Sequence, residues 1–240
     1  MNVQKIGPVV HNRYLYHYDF VWVEGKPAIV TVVNGNPAIL AVVDAETYEQ
    51  LDTYTLENAD GAMNLLCTRD GRIIAGTFNQ GAIYLIDLNR KVKTKLACSA
   101  AGLRFIYGLC LIEDDLYFGG FKGCTLSKYN LPAGEIETVA EIDPAEMYLR
   151  YIYPIGRKLI IGCGSHAQLY EYDLDKNQLR KFKLGSLEGK SGFVAHIDHV
   201  KNHIVAAIEA QNAVFVCDPI SRQIITQFDG FSRFMVAENE

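Results

Sequence analysis

Two landmarks recur along this 240-residue chain at one shared period, and that period constrains the fold more than any other feature. The first is an acidic or amide residue closing an apolar run. Asp44, Asp87, Asn130, Asp173 and Asp218 end the segments AILAVVD, AIYLID, LSKYN, QLYEYD and AVFVCD, at spacings of 43, 43, 43 and 45 residues. The second lies upstream, where RIIAGT, LYFGG, LIIGCG and IVAAI place Gly76, Gly119, Gly162 and Ala207 in register, with Val33 at the same place in the first copy. A segment repeated at fixed period folds as one supersecondary unit that buries its apolar faces against its neighbours. The chain is therefore built from about five similar units.

Each unit reads as four short strands. In the second copy these are MNLLCT, RIIAGTF, AIYLID and KVKTKL, separated by Arg69-Asp70-Gly71, Asn79-Gln80-Gly81 and Leu88-Asn89-Arg90. Asp-Gly and Asn/Gly turns between β-branched and aromatic runs are hairpin signals, and no segment sustains a helical period. Four antiparallel strands in about 43 residues match one blade of a β-propeller. The expected fold is all-β: a single propeller domain over residues 1–240, with blade repeats at about 20–62, 63–105, 106–148, 149–192 and 193–235. The first strand of a unit is apolar on both faces (Leu65, Leu66, Cys67; Leu109, Cys110, Leu111), as a strand sandwiched between blades must be. The last strand instead carries charge, with Lys91, Lys93 and Lys95 in copy two and Arg180, Lys181 and Lys183 in copy four. A charged edge deters strand addition, so these residues read as a solvated rim, with a polyanion site the less favoured reading.

The turns and the phrases GRIIAGT and LYEYDLDKNQL resemble the β-propeller repeat superfamily with WD-like and quinoprotein-like blades, over residues 20–235. The resemblance implies fold and no particular activity. The WD dipeptide and GH signature of WD40 repeats and the double glycine of kelch repeats are missing.

The first copy starts near Phe20, which leaves Val3–Ile6 as a candidate extra outer strand. At the other end Gly230-Phe231-Ser232-Arg233-Phe234-Met235 resembles Gly102-Leu103-Arg104-Phe105-Ile106, as if a sixth unit were beginning. Two closures fit: a five-blade ring, or part of a six- or seven-bladed ring. The second is preferred, because an open ring exposes apolar blade faces that need more chain or an oligomeric partner.

With 49% hydrophobic and 21% charged residues the chain has a globular composition, and a net charge of −5 gives no reason to bind nucleic acid. It shows neither a signal-peptide core nor a membrane span, and the expected location is cytoplasmic. The six cysteines form no CxxC pair and read as buried, reduced thiols.

Propeller ligands sit on loops at the entrance of the central funnel. The repeat register places Asn64, Arg104, Tyr107, Tyr148, Arg150 and Arg233 at first-strand entrances, and Asn79, Lys122, His166 and Gln211 in the turns between second and third strands. Arg supplies bidentate hydrogen bonds and Tyr a stacking face, so a non-catalytic module recognising a protein segment or small polar ligand is expected. Its candidate binding residues are Arg104, Tyr107, Tyr148, Arg150, Tyr151, His166 and His196. The rival is a carbohydrate-active lyase or hydrolase with Arg150, Tyr151, His166 and His196 around the channel. In His196-Ile197-Asp198-His199, His196 and Asp198 share a strand face while His199 points oppositely, so this segment alone holds a metal poorly; a funnel metal site joining His196 to His166 and a neighbour is less favoured than a hydrogen-bonded structural histidine. Gly185–Ser191 has three residues between its glycines, where a phosphate loop has four, and leads into a strand, so it reads as a long loop. No catalytic residue, metal or cofactor is assigned.

Overall fold

The computed structural model describes residues 15–97 and 100–230. The chain resolves into two compact units, residues 1–106 and 107–240. Within the first lie two four-stranded antiparallel blades, β1 (Leu15–Val23), β2 (Lys26–Val33), β3 (Ala38–Asp44) and β4 (Gln50–Leu56), then β5 (Ala62–Cys67), β6 (Arg72–Thr77), β7 (Ile83–Asp87) and β8 (Val92–Ala97). The third blade begins at its very end and occupies the second unit, with β9 (Phe105–Ile112), β10 (Asp115–Phe121), β11 (Cys124–Asn130) and β12 (Glu135–Asp143). Blade four follows as β13 (Tyr148–Ile155), β14 (Lys158–Gly164), β15 (Gln168–Asp173) and β16 (Gln178–Lys181), and blade five as β17 (Val194–Val200), β18 (His203–Ile208), β19 (Ala213–Asp218) and β20 (Gln223–Asp229). This is the all-β propeller fold with five four-stranded repeats. The first blade starts at Leu15, ahead of Phe20, because Tyr18 and Asp19 pair with Thr31 and Val30 although the polar YHYD run does not read as apolar strand. The stretches 3–6 and 231–235, with Cys98, lie outside the described residues.

The recurring acidic residue is a turn clamp. Asp44 Oδ1 accepts the backbone N–H groups of Glu46 and Thr47, each at 2.8 Å, and Asp173 Oδ1 those of Asp175 and Lys176. Asp87 takes the N–H of Arg90, Asn130 that of Ala133, and Asp218 that of Ile220. A carboxylate or amide oxygen at this position satisfies donors that a tight turn would otherwise leave unpaired, which explains why the third-to-fourth strand turn always begins on Asp or Asn.

The recurring glycine has a different cause. A Cβ on Gly76 would lie 2.7 Å from Ile106 Cγ2, and one on Gly119 2.6 Å from Leu149 Cδ1; at Gly162 it would overlap the carbonyl oxygen of Val194. Each contact is with the first strand of the next blade. The glycine stands where one blade's second strand closely approaches the first strand of the next.

Side chains along β14 alternate between two cores. Leu159, Ile161 and Cys163 pack with Leu126 and Leu149 of blades three and four, whereas Ile160 joins Phe182, Ile197 and Phe215 toward blade five. That is why a strand buried on both faces loses the polar-apolar alternation of a half-exposed sheet. In the first unit one cluster joins Val30, Leu40 and Val42 to Leu65, Ile73 and Tyr84. On β1 the side chains of Tyr18, Phe20 and Trp22 are exposed.

Candidate functional site

A second repeat, of aromatic residues, prepares the site in the second unit. Phe78, Phe121 and Gly164 share the 43-residue register at the end of each blade's second strand, and Phe105, Tyr148 and Phe193 stand at the next blade's entrance. In the first unit Phe78 stacks on Phe105, with ring centroids 6.0 Å apart. In the second, Phe121 stacks on Tyr148 at 4.8 Å, where the pair Phe121 and Tyr148 also joins β10 to β13. At the third occurrence the aromatic is replaced by glycine, and Phe193 fills the space a Gly164 Cβ would need.

Tyr148 is the hub of the resulting cluster. Besides Phe121, it makes edge-to-face contacts with Tyr107 at 6.1 Å and Phe193 at 5.0 Å. Into this cluster reaches Arg150, whose guanidinium carbon lies 4.2 Å above the Tyr107 ring and 5.6 Å from that of Phe193. Its Nη2 is 3.7 Å from Glu209 Oε2, and its Nε is buried with no hydrogen-bond partner. A backbone irregularity aims it there. Between Leu149 and Tyr151 the pairing of β13 with β14 slips by one residue, so Arg150 has no partner directly opposite. Such a slip rotates a side chain off the regular pleat. The same slip occurs between Ala62 and Asn64 and between Val194 and His196, where the intervening residues are Met63 and Ala195. Arg150 is the charged member of that series.

A few residues away the turn carrying His166 is held by a buried carboxylate. Glu146, with a side chain 3% exposed, accepts the backbone N–H of His166 at 2.8 Å and faces its ring Nδ1 at 3.1 Å. The His166 ring itself is exposed, with its Nε2 edge turned away from the Glu146 contact. The loop of residues 185–192 is pinned to this turn by Ala167 N–H to Lys190 O and Gly192 N–H to Ser165 O, and to the 3-10 turn Glu209–Gln211 by Gln211 Nε2 to Ser191 O. Gly185–Leu187 is a 3-10 turn in that loop.

The sequence-derived candidates thus fall into distinct groupings. Tyr107, Tyr148 and Arg150 come together. Tyr151, next in sequence to Arg150, packs against His196 with ring centroids 5.9 Å apart, and His166 goes with Glu146. Arg104 is an exposed residue of the first unit, as Lys122 and Gln211 are of the second, while Asn79 donates to Asp60 and Asn64 pairs with Gly76 on β5 and β6. Arg233 lies outside the described residues. Sequence reasoning missed Phe121, Phe193, Glu146 and Glu209. The two phenylalanines were visible as register equivalents of Phe78 and Tyr148; the glutamates had no repeat signal.

Of the five described cysteines, four are buried and Cys67 is half-buried. Cys110, Cys124, Cys163 and Cys217 are inaccessible, and the Cys124 thiol is hydrogen-bonded to that of Cys163. Desolvation pushes Cys110 and Cys217 up to about 12 and Cys163 well above the ordinary thiol range. Among the described residues no three His, Cys, Asp or Glu side chains converge as metal ligands, and no helix is long and apolar enough to cross a membrane.

No protein-family model matches the chain, and no curated protein does. Solved structures match in fold. The U3-55K structure superimposes with a TM-score of 0.74 at 11% identity, over 92% of this chain and 65% of that one. The WD40 β-propeller domain of Doa1 gives 0.68 at 13% identity, over 88% and 67%, and a chain of the mitotic checkpoint complex 0.67 at 12%, over 92% and 65%. This chain spans less than two thirds of the U3-55K chain. At such identities the likeness is one of architecture, and it agrees with the strand order and repeat register: the chain has the all-β propeller fold.

Proposed function

We propose that this protein is a non-catalytic interaction module that recognises a protein segment at the strand entrances of blades three to five, around Tyr148. The observation that carries this reading is the Arg150 guanidinium, held over Tyr107 beside Phe193 with its Nε buried and unpaired. Aromatic side chains and arginine dominate binding energy at protein interfaces, where they act as desolvated anchors. Tyr148 and Arg150 are already fixed by ring packing, so less side-chain entropy is lost when a partner docks. The loop 185–192, pinned to the His166 turn, borders the same face. A chain of similar fold also occurs in the mitotic checkpoint complex, which accords with this role.

The test is selection of binders from a displayed random-peptide library on the intact chain, followed by affinity measurement with Tyr148→Ala and Arg150→Ala. The expected result is a family of related peptides that lose at least about tenfold in affinity, the effect of a lost anchor of ~1.4 kcal/mol or more, with either change. Failure to enrich any family, or peptides that bind both variants unchanged, would reject the reading.

A further inference from the structure

On blade four the residues Ile160, Glu171 and Arg180 form one cross-strand row, since Ile160 pairs with Glu171 and Glu171 with Arg180. Directly opposed residues share a face of the sheet, and Lys158, two residues from Ile160, shares it too. Across from this face stand His199 of β17 and the turn that follows Asp218, with Pro219, Ile220 and Arg222. Between them is a cavity of about 360 Å³. The cavity wall is fixed by hydrogen bonds: the Lys183 N–H donates to Arg222 O at 2.9 Å, and the Asp218 carboxylate clamps its turn by accepting from Ile220 N–H and Ser221 Oγ.

The charge in this cavity is unbalanced. Glu171, 2% exposed, is the acidic residue of the lining, and it accepts Lys158 Nζ at 3.2 Å. Arg180 is engaged by the neutral Gln178 Oε1 at 2.7 Å, which leaves its charge uncompensated, and Arg222 adds a second guanidinium. Once Lys158 and Glu171 cancel, two positive charges and an imidazole face the space. The rest of the lining is apolar: Ile155, Ile160, Pro219 and Ile220, the last 84% exposed.

We infer that this cavity between blades four and five binds a phosphate monoester carried on an apolar stem. A phosphate monoester bears about −1.5 to −2 charges at neutral pH, which matches two guanidinium groups where a carboxylate would leave one unanswered. Guanidinium forks fit its oxygens, and the isoleucines offer the stem a surface. Such a group reaches the cavity either as a small molecule or as a phosphorylated side chain of a protein, and the experiment separates the two.

Methyl spectra of the intact, isoleucine-labelled protein are recorded during titration with phenyl phosphate, inorganic phosphate, benzoate and a phosphoserine pentapeptide flanked by leucine. Saturable shifts are expected at Ile155, Ile160 and Ile220, with phenyl phosphate at least about tenfold tighter than benzoate or inorganic phosphate and weakened by added salt. The variant Arg180→Gln/Arg222→Gln, shown by circular dichroism to be folded, should lose about tenfold or more. A peptide tighter than phenyl phosphate assigns a protein source; the reverse order assigns a small molecule. Absence of saturable shifts at these methyls, benzoate equal to phenyl phosphate, or a double variant that binds as well as wild type would overturn the inference.

Discussion

Gly162 of β14 lies against the backbone of Val194, so close that a Cβ on the glycine would overlap the Val194 carbonyl oxygen. The neighbour is main chain and both residues are buried, so the contact cannot be relieved by a rotamer change. Gly162→Ala should therefore destabilise the protein by about 1–3 kcal/mol, the usual cost of overpacking a tight core. Gly156→Ala is the contrast. Its φ of +57° carries a backbone cost, but nothing lies within 4 Å, so about 1 kcal/mol is expected. Urea denaturation of the two variants checks the order; equal losses would refute the steric account.

The turn clamps predict an acid-sensitive component of stability. Backbone N–H groups of Thr47 and Glu46 hold the Asp44 carboxyl below its usual range, and N–H groups of the following turn do the same for Asp218. A carboxylate whose folded pKa is depressed contributes stability above its unfolded value near 4 and loses it as pH falls through the lower folded value. Asp44→Asn keeps the Oδ1 acceptor, as Asn130 does naturally, and should lower the melting temperature less than Asp44→Ala while flattening the decline below about pH 4. Thermal melts of the three proteins between neutral and acid pH read both effects, and identical slopes for wild type and Asp44→Asn would contradict the assignment.

Much of this architecture was legible because each landmark answers a local need. A turn requires an acceptor at Asp44 and its equivalents, and a close approach requires the absence of a Cβ at Gly76, Gly119 and Gly162; both leave a periodic trace. The same logic made Phe121 and Phe193 available to a reader who followed aromatic residues through the register. The repeat register puts Arg150 near the start of β13, but nothing periodic points to its partner Glu209, because that meeting depends on a one-residue slip in β13 and on a turn after β18. His166 and Glu146 are likewise joined across two loops, and nothing periodic marks either. Repetition reports what every blade needs, so residues that make one blade different from the others are the hardest to see.

Burial of the thiols sets the alkaline limit. Desolvation holds Cys110 and Cys217 protonated up to about 12, whereas an unfolded chain ionises its thiols near 8.5. A raised folded pKa gives stability that is fully present below the unfolded pKa and is lost as pH rises toward the folded one. Stability should be flat from about pH 6 to 8 and then fall by up to about 1.4 kcal/mol per pH unit for each buried thiol. Cys110→Ala and Cys217→Ala should each reduce that slope. In the native protein the same thiols should resist iodoacetamide at pH 8 and react once denatured; fast labelling of either without denaturant would show that they are accessible.

The contact between Arg150 and Tyr107 is open to direct measurement. With the guanidinium carbon 4.2 Å over the ring and the side chain 24% exposed, a cation–π term of about 0.5–2 kcal/mol is expected between them. Arg150→Met keeps most of the packing volume and removes the charge, and Tyr107→Leu removes the ring face. A double-mutant cycle of these changes should give a favourable coupling near 1 kcal/mol. The charge also interacts with Glu209, so Arg150→Met combined with Glu209→Gln should show a separate coupling that shrinks in added salt, while the Tyr107 coupling changes little. If the Tyr107 coupling is zero within error, the ring does not hold the guanidinium, and the preorganisation on which peptide recognition at Tyr148 rests is absent.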